Sequence, residues 1–170
     1  MKAISGKNLV LIGFMGTGKT ETGKLLAASL NRRFIDTDKL IEKEEKAKIS
    51  EIFAAQGEEY FRRREKEVIA RLCRKKGLVI STGGGSLLAR ENRKLLAENS
   101  FVIWLDASFD ELRQRLTGDV DRPLLKEQDF STLYEKRLEG YRETAHVKID
   151  TTDKSPLMVS EEIMELLRRG

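Results

Sequence analysis

Gly13-Phe14-Met15-Gly16-Thr17-Gly18-Lys19-Thr20 is a complete GxxxxGK[ST] phosphate-binding loop, and its flanks decide the reading. Before it, Asn8-Leu9-Val10-Leu11-Ile12 is a short apolar run with the length of a buried strand. After it, Gly23 to Leu30 carries helical periodicity. Glycines let the backbone curl until successive N–H groups converge, and the N-terminus of the helix adds positive partial charge. Lys19 then reaches β- and γ-phosphates, and the Thr20 hydroxyl is a ligand for Mg²⁺. A glycine-rich turn without a ligand is the bland alternative, and the strand–loop–helix setting disfavours it. The chain binds a nucleotide.

Working outward, 170 residues, 39% hydrophobic and 35% charged, fit a single domain spanning 1–170 with one substantial core. The net charge of +4 is spread among many acids. A charged surface with an anionic small-molecule site accounts for it, and no nucleic-acid partner is expected. Cys73 is the one cysteine, which excludes an internal disulfide or a CxxC site. It falls in the helical pattern Val68, Ile69, Leu72, Cys73 and reads as a core thiol. No segment has the length of a membrane span, and the apolar run at 8–12 is already explained as a strand. A cytoplasmic, monomeric protein with no membrane partner is expected.

Strand-like and helix-like segments alternate along the chain. Strands are expected at 33–36, 78–81, 101–105 and 147–150. Helices are expected at 38–46, 57–75, 89–99, 108–116, 131–144 and from Pro156 to about 169, with Ser50 as the N-cap of a further helical piece over 50–56. Residues 117–127, with Gly118 and Pro123 amid charge, read as a mobile loop. Alternation of this kind predicts an α/β fold: a parallel sheet with helices on both faces and the ligand at the carboxyl ends of the strands.

Several residues near those strand ends could carry chemistry. Asp36 and Asp38 close the second strand as Phe-Ile-Asp-Thr-Asp. On one face of a strand both could point into the cleft, one near Mg²⁺ and one on a substrate hydroxyl; the alternative is that Asp38 caps the next helix. Arg62, Arg122 and Arg142 join Lys19 as fixed cations for a negatively charged substrate, since the planar guanidinium grips carboxylate or phosphate with two hydrogen bonds. The triplet Gly83-Gly84-Gly85 exceeds what a turn needs and suggests close approach of backbone to a ligand. His146 is the only histidine and Trp104 the only tryptophan; both read as surface or packing residues. Without a Ser-His-Asp set or a His/Cys cluster, the inventory fits phosphoryl transfer, in which positioning and charge neutralisation dominate.

In their order, these segments resemble the shikimate kinase family over essentially the whole chain. The carrying motifs are the loop at 13–20, Phe-Ile-Asp-Thr-Asp at 34–38, Phe-Arg-Arg-Arg-Glu at 61–65, Ser-Thr-Gly-Gly-Gly at 81–85, Arg-Pro-Leu-Leu at 122–125 and Tyr-Arg at 141–142. The resemblance implies ATP-dependent, Mg²⁺-assisted phosphorylation of the 3-hydroxyl of shikimate, a step in making aromatic amino acids. It also implies a three-layer P-loop kinase fold with a five-stranded parallel sheet, a substrate-binding helical region at about 36–65 and a lid at about 117–127. Gly16, Thr17, Gly18, Lys19 and Thr20 would hold the phosphates. Asp36 would lie near Mg²⁺ beside Thr20, and Asp38 would bind the ring hydroxyls and accept the proton. Arg62 and Arg142 would hold the carboxylate with the Gly84 and Gly85 amides. Arg122 would reach both substrate and transferring phosphoryl group. Arg115 and the Ser155-Pro156 turn would hold adenine.

One departure stands out. Relatives follow the loop's Ser/Thr with a second hydroxyl residue, whereas this chain has Glu21. A carboxylate there gains from the helix dipole but repels phosphate unless it turns to solvent. Competing readings are another small-metabolite or nucleotide kinase on the same scaffold, a GTPase, disfavoured by the lack of an Asn-Lys-x-Asp segment, a non-catalytic homologue, disfavoured by the intact loop residues, and a basic nucleic-acid-binding module, disfavoured by the dispersed charge.

Overall fold

A computed structural model describes residues 6–116 and 130–169. Five strands form one parallel sheet: β1 (Asn8–Ile12), β2 (Arg33–Asp36), β3 (Leu78–Ser81), β4 (Ser100–Asp106) and β5 (Val147–Asp150), in the order β2-β3-β1-β4-β5. β1 is central, with Leu9, Val10, Leu11 and Ile12 all at 0% exposure. Each such side chain contributes about 1.5–3 kcal/mol by burial, which explains why the least polar run in the N-terminal third occupies the middle of the sheet.

The alternation of the strands divides the core. Leu9 and Leu11 join the cluster under α1 (Lys19–Ser29), while Val10 and Ile12 face the other helical layer. That second layer comprises α2 (Thr37–Glu45), α3 (Ile49–Cys73), α4 (Arg90–Asn99), α5 (Phe109–Leu116) and α6 (Phe130–Thr144). The C-terminal helix α7 (Pro156–Arg169) packs with α1. Since β1 pairs with both β3 and β4, the chain leaves β1 at the point where the sheet order reverses. Ligands of open α/β sheets sit at that point, and the phosphate-binding loop follows directly.

The elements expected from sequence are present, with two differences. Lys48, not Ser50, is the N-cap of α3: Glu51 accepts from the Lys48 amide at 2.6 Å and Glu42 from the Ile49 amide at 3.2 Å. Those two carboxylates satisfy the first free amides, so the helix begins earlier. The two helical pieces also form one element broken at Gly57, whose φ of 81° is non-helical. Cys73 is half-buried against the core, Trp104 is 5% exposed, and His146 is exposed with Nδ1 accepting from the Val102 amide. Among the described residues no helix is long and apolar enough to cross a membrane. The expected lid at 117–127, with Arg122, lies outside the described residues.

Candidate active site

The loop from Gly13 to Thr20 is already closed upon itself. Gly16 and Gly18 each take φ of 83°, a conformation natural to glycine. The buried Thr17 hydroxyl donates to the Phe14 carbonyl at 2.8 Å, and Lys19 Nζ donates to the same oxygen at 2.7 Å. Thr20 Oγ1 donates to Asp36 Oδ2 at 2.9 Å, so the end of β2 is tied to the first turn of α1. An open depression of about 290 Å³ lies over the loop, lined by Met15, Gly16, Lys19, Thr20, Arg115 and Leu116 among others.

Arg115 braces this depression from the side. Its guanidinium donates to the Gly16 carbonyl at 3.1 Å and the Thr151 carbonyl at 2.9 Å, and pairs with Glu111. The other Glu111 oxygen accepts from the Asp153 amide at 3.0 Å, which fixes the turn leading to α7. Ser155 caps α7 through the Met158 amide at 3.3 Å, and Pro156 takes its first position. Ser155 and Pro156 do not line the depression itself. Glu21, also on its rim, turns outward to Lys24 at 2.7 Å with 63% of its side chain exposed. The expected repulsion of phosphate is thereby relieved.

Asp36 and Asp38 divide their labour differently from the simplest expectation. Asp36, not Asp38, caps α2, accepting from the Asp38 and Lys39 amides at 3.1 and 3.2 Å. That frees Asp38, in the first turn of α2, to face inward. Its Oδ1 is buried without a partner among the described residues. Burial, followed by the charges of Glu65 and Asp36, raises its pKa to about 6, against the lowering pull of Lys19 and Arg62. These influences place Asp38 within electrostatic reach of both Lys19 and Arg62.

The glycine triplet explains how so much charge fits together. A Cβ on Gly83 would stand 2.5 Å from Asp38 Oδ1, one on Gly84 2.8 Å from Arg137 Nη1, and one on Gly85 2.9 Å from Arg62 Nη2. The triplet was expected to make room for a ligand; what presses on it here is three ionic side chains. The Gly83 amide donates to Thr37 Oγ1 at 3.1 Å, whereas the Gly84 and Gly85 amides have no acceptor among the described residues.

Arg62, in α3, donates to Glu65 at 2.9 Å and Glu58 at 3.1 Å. Glu65 is 1% exposed and also accepts from the Ser86 hydroxyl at 2.7 Å. The neighbours of Arg62 serve elsewhere: Arg63 lies over the Tyr60 ring and Arg64 pairs with Glu44, Glu45 and Glu67.

The expected partner of Arg62 was Arg142, and the structure places another arginine beside the glycine triplet. Arg142 is exposed on α6. Arg137, five residues earlier, is 4% exposed, lies over the Phe14 ring at 5.2 Å and packs on Gly84. Its Nε and Nη1 have no partner among the described residues. Burial and then, after Tyr141's opposing influence, the like charge of Arg62 lower its pKa. Helical geometry is the reason: the buried stripe of α6 runs Leu133, Arg137, Gly140, Tyr141, Thr144, and position 142 lies off it.

Glu65 and Arg137 are thus buried charged residues at or near the triplet that sequence reasoning did not single out. Each is a charged residue in an otherwise mostly apolar helical stripe, and that interruption is the signal that could have found them.

Comparison with known proteins agrees with this architecture. The shikimate kinase family model matches residues 15–168. A shikimate kinase from Sulfurihydrogenibium sp. is 44% identical over 165 residues, 96% of this chain and 99% of that one. One from Persephonella marina is 46% identical over 164 residues, covering 95% and 99% respectively. Among solved structures, a shikimate kinase from Acinetobacter baumannii in complex with shikimate superposes with a TM-score of 0.89 at 35% identity, covering 99% of this chain and 97% of that one. A phosphate loop, an inward acid and two arginines around a glycine triplet therefore sit in a chain that belongs to the shikimate kinase family.

Proposed function

We propose that the chain transfers the γ-phosphoryl group of ATP to the 3-hydroxyl of shikimate, giving shikimate 3-phosphate and ADP on the route to aromatic amino acids. The observation that carries the reading is Arg137: a buried guanidinium with two unpaired nitrogens, near a second arginine and two amides without acceptors. A buried cation with only part of its hydrogen-bonding capacity met is costly, and an anion is what satisfies the rest. The Asp38 oxygen across the same triplet asks for a hydroxyl. A small hydroxylated carboxylic acid meets both demands.

In this reading Arg62, Arg137 and the Gly84 and Gly85 amides take the carboxylate, and Asp38 takes the reacting hydroxyl. The hydroxyl oxygen bonds to the γ-phosphorus as the bond to the β–γ bridging oxygen breaks, and the hydroxyl proton passes to the Asp38 carboxylate. Lys19 leaves the Phe14 carbonyl to neutralise the transferring group. Arg122 would add a further cation there, as the resemblance implies. Thr20 Oγ1 and Asp36 Oδ2, 2.9 Å apart beside the loop, are hard oxygen donors that fit Mg²⁺, which keeps most of its shell as water and phosphate oxygen. When bound, the ion would supply charge neutralisation at the transferring phosphoryl group. Arg115, with the Ser155-Pro156 turn, flanks the nucleotide base. The reading includes a monomer in the cytoplasm.

A coupled ADP-release assay tests it. ADP release that depends on added shikimate, with gluconate and a nucleoside monophosphate inert, is expected. Equal release without shikimate, or preference for either alternative, would overturn it.

A further inference from the structure

Tyr141 is 1% exposed, and its hydroxyl donates to the Gly84 carbonyl at 2.8 Å across 57 residues of sequence. Its ring packs on Trp104 with centroids 5.8 Å apart, so the phenol joins the core to the glycine triplet. The consequence follows from the planar trans peptide, in which a carbonyl and the next N–H point in opposite directions. Holding the Gly84 carbonyl on the Tyr141 hydroxyl turns the Gly85 N–H to the opposite side of that peptide, away from the phenol. That amide has no acceptor among the described residues. Arg137 lies one helical turn before Tyr141, is hydrogen-bonded to its hydroxyl and presses on the same Gly84. One hydroxyl therefore governs the orientation of one donor and stands beside another.

We infer that Tyr141 is a positioning residue for the substrate carboxylate: its hydroxyl locks the Gly84–Gly85 peptide so that the Gly85 N–H and the Arg137 guanidinium meet the same anion. The inference rests on the acceptor site proposed above. It assigns Tyr141 no contact with substrate and no share in proton transfer, because the phenol is sealed in the core and hydrogen-bonded to backbone.

Tyr141→Phe removes one oxygen and keeps the ring. The expected result is a rise of about tenfold in the KM for shikimate, with kcat and the KM for ATP each within about twofold. The same rise is expected in the shikimate dissociation constant, followed through the fluorescence of Trp104, the one tryptophan. For the methyl ester of shikimate, which lacks the carboxylate charge, kcat/KM is expected to be unchanged by the substitution. An equal fall on acid and ester would make Tyr141 a general packing residue and overturn the inference, as would no fall on either. Should the variant not fold, the parent protein labelled at its glycine amides supplies the test. The Gly85 amide resonance is expected to shift with shikimate and not with the ester, and a static resonance overturns the inference. Arg137→Ala separates the two levels. If it leaves shikimate binding intact, the acceptor site itself is wrong. If it weakens binding while Tyr141→Phe does not, only the role of Tyr141 fails.

Discussion

The two halves of the cleft treat their polar side chains in opposite ways. On the nucleotide side, Lys19 is bonded to Phe14, Thr20 to Asp36, and Arg115 to Gly16, Thr151 and Glu111. On the acceptor side, Asp38 Oδ1, two nitrogens of Arg137 and the Gly84 and Gly85 amides have no partner among the described residues. The side chains around the loop are already bonded, so an arriving phosphate must exchange bonds with them, while the Gly16 and Gly18 amides, like those of Gly84 and Gly85, have no acceptor among the described residues. The acceptor side holds unmet demand, and a ligand lacking the right group leaves that demand in place. Discrimination is strongest at sites of the second kind, where analogues without a needed hydrogen-bonding group are rejected steeply.

The largest expected effect falls on the satisfied side. Lys19→Met removes the charge meant for the transferring group, and turnover is expected to fall by at least about 10²–10³-fold. Shikimate binding measured by calorimetry should survive; loss of binding would show that the two halves are not separable. Next comes a paired test on α6. Arg137→Ala is expected to raise the shikimate dissociation constant by roughly 10–100-fold, the effect of losing charge-assisted contacts, whereas Arg142→Ala stays within about twofold. The reverse ranking would restore Arg142 to the clamp.

The smallest effect concerns stability in ligand-free protein without metal. Asp38 has its folded pKa raised to about 6 from 3.8. A raised carboxyl favours the fold while protonated, so this contribution is complete below pH 3.8 and lost as pH climbs through 6. Above that, the ionised group burdens the fold by about 1–3 kcal/mol. Asp38→Asn carries no such burden. Urea unfolding should find the variant more stable than the parent at pH 8, with the gap closing by pH 3.5. Superimposable curves at pH 8 would show that Asp38 is not held in a strained environment, and the contrast between the halves would soften.

Much of this was legible in the residues. Four short segments marked β1, β2, β3 and β5 to the residue: β1 and β3 because buried parallel strands are mostly apolar segments bounded by polar turns, and the edge strands β2 and β5, which carry charge at Arg33, Asp36, Lys148 and Asp150, from the alternation of segments around them. The phosphate loop announced itself because its glycines and lysine are adjacent in sequence. What stayed hidden depends on direction in space. Asp36 and Asp38 both end in carboxylates, and only the path of the chain into α2 decides which caps the helix and which faces inward. Arg142 follows a tyrosine in a recognisable pair, yet a 100° step around the helix separates it from the buried Tyr141. Glu65 and Arg137 sit within charged stretches, Arg-Arg-Arg-Glu-Lys-Glu and Glu-Lys-Arg, where one buried member resembles its solvated neighbours.

Residues 83 to 85 compress three chemical functions into three adjacent codons. A methyl group at the first crowds out the acid, at the second the sealed arginine, at the third its partner in α3. What such a methyl meets is in each case the tip of a side chain and not backbone, so a substitution at this turn would register first as displaced charge in the cleft and only afterwards as a disturbed chain path.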